Sequence, residues 1–233
     1  DVTTPPIISA KFDIFVDGLD VTVKSERESV SLRYTLDGTT PAASSTLVTG
    51  PIRLTSTTIV TARCFREGKP VSGTVSSTFT KVGPSPAASV SGLENGIQYS
   101  YYEGDWNVLP DFSKLTPTKQ GVLPAFDLSP RTQPEYFGLE YRGFVRVPEK
   151  GVYGFSTDSD DGSRLYIDDT MVVNNDGLHG MKEVKGVVAL GAGFHAIKVQ
   201  YFQKGGGREF KVWLEGMQGE KQIIPDTMLF HQK

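Results

Sequence analysis

From Phe12 to Phe79 apolar and polar residues alternate with a period of two, and turn-forming residues break the alternation about every ten positions. Phe12, Ile14 and Val16 fall on one face before Asp17-Gly18 turns the chain, and Val21 and Val23 follow. Val30, Leu32, Tyr34 and Leu36 then alternate with Ser31, Arg33 and Thr35. The pattern returns at Ile52 and Leu54 and again at Val60, Ala62 and Cys64. Short, half-buried strands at this spacing predict a β-sandwich. Cys64 lies on the inward face of that register, so it reads as a small core residue rather than a reactive thiol.

Residues 82–91 lack periodicity and are rich in Pro, Ser and small residues, which predicts a short, semi-stiff linker. A second alternating pattern begins at Gly92. It runs through Ile97 to Trp106, a connection punctuated by Pro110, Pro117, Pro124, Pro130 and Pro134, and a strand from Tyr136 to Val147. Further on, His195, Ile197, Val199 and Tyr201 share a face. After Gly205-Gly206-Gly207, Phe210, Val212 and Leu214 alternate with Lys211, Trp213 and Glu215. The expected fold class is all-β, two tandem β-sandwiches, with boundaries at 1–81, 82–91 and 92–233.

Composition narrows the function classes. The 24 basic and 27 acidic residues among 233 give a net charge of -3 with no long run of either sign, so neither nucleic acid nor an anionic membrane surface is an expected partner. No apolar run approaches the about 18 residues that a membrane span needs. The single cysteine excludes an internal disulfide. The chain starts Asp-Val-Thr-Thr-Pro-Pro, and a processed or excised piece of a longer polypeptide is expected.

Candidate chemistry concentrates in STDSDDGSRLYIDDTMVVNNDGLHG, Ser156 to Gly180. Asp158, Asp160 and Asp161 crowd one turn, where their repulsion needs relief from solvent, backbone N–H groups or a cation. Asp168-Asp169 reads as hairpin turn chemistry. Acidic, Gly-containing turns suit either plain turn geometry or a hard cation such as calcium, which takes about six to eight oxygens. Trp106, Tyr101 and Tyr102 offer flat faces suited to a pyranose ring, with packing into the core as the competing reading. Trp213 falls on the more polar face of its strand, where it would stack on a sugar or close a sheet edge. Catalysis is not expected. Paired glycosidase carboxyls stand about 5 to 9.5 Å apart across a substrate, whereas Asp160 and Asp161 are consecutive. His179, His195 and His231 lack metal-ligand spacing, and no G-x-S-x-G elbow is present.

Two stretches resemble known families. LRYTLDGTTP (Leu32 to Pro41), then GPIRL and TTIVTARCF, resembles the immunoglobulin-like module at the C-terminal side of chitobiases and β-N-acetylhexosaminidases, over about residues 5 to 81. YYEGDW, GVYGF, SDDGSRLYID, NNDGLHG and GFHAIKVQYF, between Tyr99 and Phe230, together resemble the lectin-like domain named from anthrax protective antigen (PA14). The second resemblance implies a calcium ion held by Asp160 and Asp161 across a cis peptide, with the ion holding sugar hydroxyls. It places a second ion-binding loop at Gln203 to Glu209, QKGGGRE. There Gln203 offers an amide oxygen where an Asn is usual, and Lys204 and Arg208 make the loop less inviting to a cation.

The resulting expectation is a non-catalytic accessory region of an extracytoplasmic bacterial glycoside hydrolase. It would bind a glycan weakly through Asp160, Asp161, Gln203, Trp213 and Trp106, with Asp160, Asp161 and Gln203 as metal ligands. Its partners would be that glycan and the catalytic domain of the same polypeptide. A calcium-dependent adhesin-type lectin and a purely structural spacer are the alternatives.

Overall fold

The computed structural model describes residues 3–233. They divide into two compact units, one ending at Gly83 and one running from Pro84 to Lys233. Both are β-sandwiches, as the alternating pattern requires.

In the first unit, a three-stranded sheet of Ile7–Ser9, Leu19–Lys24 and Ile52–Leu54 faces a six-stranded sheet centred on Thr58–Arg66. Leu19, Val21, Val23, Ile52 and Leu54 point inward, each at most 6% exposed. Cys64 is fully buried, as expected from its register. The strand expected around Ile14 departs from expectation: Ile14–Phe15 is only two residues long and pairs parallel with Thr80–Lys81, so Phe15 rather than Ile14 or Val16 enters the core. Alternation cannot be sustained over so short a pairing.

The second unit stacks an eight-stranded sheet on a four-stranded one. The larger sheet is built around Phe137–Val147, which pairs along its whole length with Gly193–Gln203 on one side and with Ile97–Glu103 and Leu229–Gln232 on the other. Ser163–Ile167 and Thr170–Asn175 extend it. The smaller sheet orders Lys182–Leu190, Gly151–Ser159, Phe210–Glu215 and Gln222–Ile223. His195, Ile197, Val199 and Tyr201 share the buried face, as predicted. A strand at Lys119–Leu123, hidden in the sequence by its proline-rich surroundings, pairs with Ile97–Glu103. Part of the expected linker is also structured. Ser85 donates its N–H to the carbonyl of Ala189 at 2.9 Å and accepts from Gly191 N at 2.8 Å, and Ala88 N donates to Phe194 O at 2.8 Å. Residues 85–88 therefore run along the second sandwich.

No helix among the described residues is long and apolar enough to cross a membrane.

Candidate functional site

The acidic turn is where the chain changes sheets. Gly151–Ser159 belongs to the four-stranded sheet and Ser163–Ile167 to the eight-stranded one, leaving Asp160, Asp161 and Gly162 to make the corner. The Asp160-Asp161 peptide is cis. Gly162 is required by close approach: a Cβ there would lie 2.5 Å from Phe202 Cε1 and 2.8 Å from the backbone nitrogen of Gly177. Beneath the corner, hydroxyl groups link the two sheets. Ser163 Oγ lies 2.7 Å from Ser159 Oγ and donates to Thr157 Oγ1 at 2.8 Å, while Asn175 Nδ2 donates to Ser159 Oγ at 3.2 Å and to Lys182 O at 2.8 Å. These four side chains are at most 1% exposed, so the bonds are needed to offset desolvation.

The two aspartates have different surroundings. Asp161 is 5% exposed and accepts from the backbone nitrogens of His179 at 3.3 Å and Lys204 at 2.9 Å, one on each carboxylate oxygen. Asp160 is half-buried. Its backbone is fixed, with its N–H donating to Glu209 O at 3.0 Å and its carbonyl accepting from Tyr201 Oη at 2.6 Å. No hydrogen bond among the described residues reaches its carboxylate. Desolvation, and next the neighbouring charge of Asp161, push the Asp160 carboxyl above the ordinary carboxylate range, against a smaller opposing pull from His179. A desolvated carboxylate that gains no donor and repels its neighbour is suited to a cation.

Gln203 does not play the expected part. It is fully buried, its Oε1 lies 2.7 Å from Tyr201 Oη, and its Nε2 donates to Gly207 O at 2.7 Å. The expectation of Gln203 as a metal and sugar ligand is therefore corrected: its amide is spent tying the glycine loop to the strand. Burial, with the charges of Asp161 and Asp160, pushes the Tyr201 hydroxyl far above its ordinary pKa, so it remains a donor. The result of this bracing is that the loop backbone closes on the aspartate; a Cβ on Gly207 would come within 2.5 Å of Asp160 Oδ2.

Two further loops complete this end of the sandwich. Asp176 Oδ1 accepts from Leu109 N at 2.7 Å, and its Oδ2 pairs with Arg164 Nη2 at 2.7 Å. Lys204 Nζ lies 2.9 Å from Asp105 Oδ1 and 2.8 Å from Asn107 Oδ1, clasping the loop that carries Trp106. The Lys204 charge, expected to repel a cation, is thereby engaged away from Asp160. His179, on the same rim, has Nδ1 2.9 Å from Gly180 O and Nε2 2.9 Å from Asn175 O, so its ring fixes the loop.

Of the aromatic candidates, Trp106 belongs to this end, in a cluster with Phe112 and Phe202. Trp106 is half-buried and packs edge-on against Phe112, with ring centroids 6.2 Å apart. Trp213 lies on the outer face of the four-stranded sheet, opposite Ser156 and Ile223, with Lys221 Nζ 4.5 Å above its ring. It sits on an inner strand of that sheet, covered by a lysine, so neither the expected sugar platform nor the expected closing of a sheet edge is what it forms. Tyr101 and Tyr102 are core residues, 0% and 6% exposed. Among the described residues no group of three or more His, Cys, Asp or Glu side chains is placed to hold a metal ion. A cation here would rest on the Asp160 and Asp161 carboxylates with backbone oxygens and ligand hydroxyls, a donor set that fits calcium chemically.

Sequence reasoning missed a second role for Asp168. With Asp169 it forms the two-residue turn expected, both at positive φ (47° and 63°). Its carboxylate also holds fully buried His195, at 2.7 Å from Nδ1, while Nε2 lies 2.9 Å from Gly191 O. The inward register of His195 was the available signal.

Comparison with known proteins agrees with this architecture. The chitobiase/beta-hexosaminidase C-terminal domain matches residues 14–77, and the PA14 domain matches residues 93–227. A beta-hexosaminidase of Porphyromonas gingivalis is 25% identical over 220 residues, covering 91% of this chain; the chain spans only 26% of that relative's length. The PA14 domain of the antifreeze protein MpAFP superposes with a TM-score of 0.51 at 20% identity, covering 62% of this chain and 95% of that one. The epithelial adhesin 9 A domain of Candida glabrata, solved in complex with Galb1-3GlcNAc, superposes with a TM-score of 0.51 at 13% identity, covering 64% and 96%. Both structural likenesses show the fold. Through residues 93–227 the chain belongs to the PA14 domain family, preceded by a domain of the chitobiase/beta-hexosaminidase C-terminal type.

Proposed function

We propose that this chain is a non-catalytic accessory region of a β-hexosaminidase-like glycoside hydrolase, working outside the cytoplasm. It binds glycans weakly at the loop end of the second sandwich and positions a catalytic domain of the same polypeptide. The observation that carries this reading is the Asp160 carboxylate: desolvated, beside Asp161, without a donor of its own, and framed by the braced glycine loop. A calcium ion on the two carboxylates would relieve their repulsion and present open coordination positions to vicinal sugar hydroxyls. Gln203 and Tyr201 contribute by holding the loop, not by ligating. The glycan-bound adhesin of the same fold and the beta-hexosaminidase likeness support sugar as the ligand class and hydrolase as the context.

A glycan array of N-acetylglucosamine- and galactose-terminated oligosaccharides, probed with the chain in calcium and in EDTA, tests this directly. Saturable signals with a calcium-dependent component that EDTA abolishes support the reading. Silence in calcium overturns the loop-end site and leaves only positioning.

A further inference from the structure

The outer face of the eight-stranded sheet is not an ordinary solvated surface. Reading across the strands at one register, Gln120, Ser100, Glu140, Gln200, Arg164 and Asn174 stand in a single row. The next row runs Val122, Gln98, Arg142, Lys198 and Tyr166. The first row is cross-linked: Gln120 Nε2 donates to Ser100 Oγ at 2.9 Å, and Gln200 Nε2 to Glu140 Oε2 at 2.7 Å. Arg142 Nε reaches Glu140 Oε1 at 2.7 Å from the neighbouring row.

Glu140 is only 6% exposed although it points away from the core. It is sunk because the chain after Leu109 builds a wall beside the sheet. The short turn Phe112–Lys114 packs Phe112 on Tyr102, with ring centroids 4.7 Å apart, and Leu115 and Pro117 continue the wall. The added strand Lys119–Leu123 supplies the adjacent rim through Gln120 and Val122. Together they enclose an open groove of about 670 Å³, within the range of ligand-binding clefts.

The lining specifies a chemistry. The one carboxylate on the floor is matched by the Arg142 guanidinium, so the groove offers no uncompensated charge to an anion or a cation. It does offer acceptors in the outer lone pairs of Glu140 and the amide oxygens of Gln98 and Gln120. Arg142, with a side chain 58% exposed, supplies donors from its terminal nitrogens. Exposed Leu115 and Val122, 37% and 47% accessible, add apolar surface at the rims. Alternating hydroxyls with an apolar ring face are what such a mixed, neutral, planar-group lining complements.

We propose that this groove is a second, metal-independent binding site for a neutral oligosaccharide, distinct from the loop end that carries Asp160. The site stands on the groove alone; only the choice of probe borrows from the β-hexosaminidase likeness.

The test is an NMR and calorimetric titration of the whole chain with N-acetylchitotetraose in EDTA. The expected result is saturable binding, with shifts in the side-chain amides of Gln98 and Gln120 and the guanidinium of Arg142. Gln120→Ala, at an exposed position, and Arg142→Lys, which keeps a positive charge beside Glu140 but not the guanidinium donors, should each weaken binding at least about tenfold, as loss of a buried sugar hydrogen bond does. Asp160→Asn should leave binding in EDTA unchanged. No shift in the groove amides, or binding in EDTA that survives both groove variants, overturns the proposal. Loss of calcium-dependent binding through Asp160→Asn alone reports on the loop end, so the two sites fail separately.

Discussion

Asp160 carries both an energetic penalty and the candidate chemistry. Its carboxyl titrates above the ordinary range because burial and Asp161 disfavour its charge. The folded chain therefore binds that proton more tightly than the unfolded chain, and the stability so gained is present at low pH and lost as pH rises through the raised value. Asp160→Asn removes this dependence. In EDTA the variant should melt above the wild type at neutral pH, and the two curves should converge as the solution is acidified; thermal melts across that range check it. A variant less stable at neutral pH would show that the carboxylate is not strained by its neighbour. Gly162→Ala acts at the same corner with the opposite sign. Its Cβ would press on Phe202 and on the Gly177 backbone, which should cost about 1–3 kcal/mol in denaturant unfolding. The Asp pair was legible in the sequence because its crowding is local. Gln203 was not: whether an amide faces an ion or is consumed by Tyr201 and Gly207 depends on a loop closure that periodicity does not encode.

Among the elements, strands announced themselves wherever alternation ran for five or more residues, as in Gly193–Gln203 and Phe210–Glu215. Lys119–Leu123 did not, since its pairing is set by Ile97–Glu103 rather than by its own pattern. The same gap hid the groove, whose polar floor exists only once Lys119–Leu123, Ile97–Glu103 and Phe137–Val147 are in register. The sheet-changing corner depends on a polar seam that alternation also conceals, because Ser159, Ser163 and Asn175 occupy inward positions where apolar residues are expected. Asn175→Ala would remove a donor from the Lys182 carbonyl and from Ser159, which keeps only its Ser163 partner, and a loss of about 1–3 kcal/mol in urea unfolding is expected. His195 is held in the same manner from the opposite end. His195→Ala, which removes the buried ring held between Asp168 Oδ2 and Gly191 O, should cost about 1–3 kcal/mol.

For the molecule as a whole, each unit has its own core, so a fragment from Pro84 to Lys233 should fold alone. Where it begins matters. Starting at Gly92 instead deletes the backbone bonds that Ser85 and Ala88 make with the strands around Ala189 and Phe194. The shorter fragment should be less stable by about 1–4 kcal/mol, three bonds at their usual net worth, and should show it as a lower Tm. Equal melting temperatures would assign residues 85–88 no structural role. Small residues without periodicity can still lie along a sheet edge, as residues 85–88 do, and composition alone does not reveal it.

The loop-end site is the claim on which the functional reading rests, and calorimetric titration of the intact chain with Galβ1-3GlcNAc in calcium tests it most directly. Wild type should bind weakly with a component that EDTA removes, and Asp160→Asn should lack that component in calcium while melting no lower than wild type in EDTA. Undiminished binding by Asp160→Asn, or none by the wild type in calcium, would contradict the site.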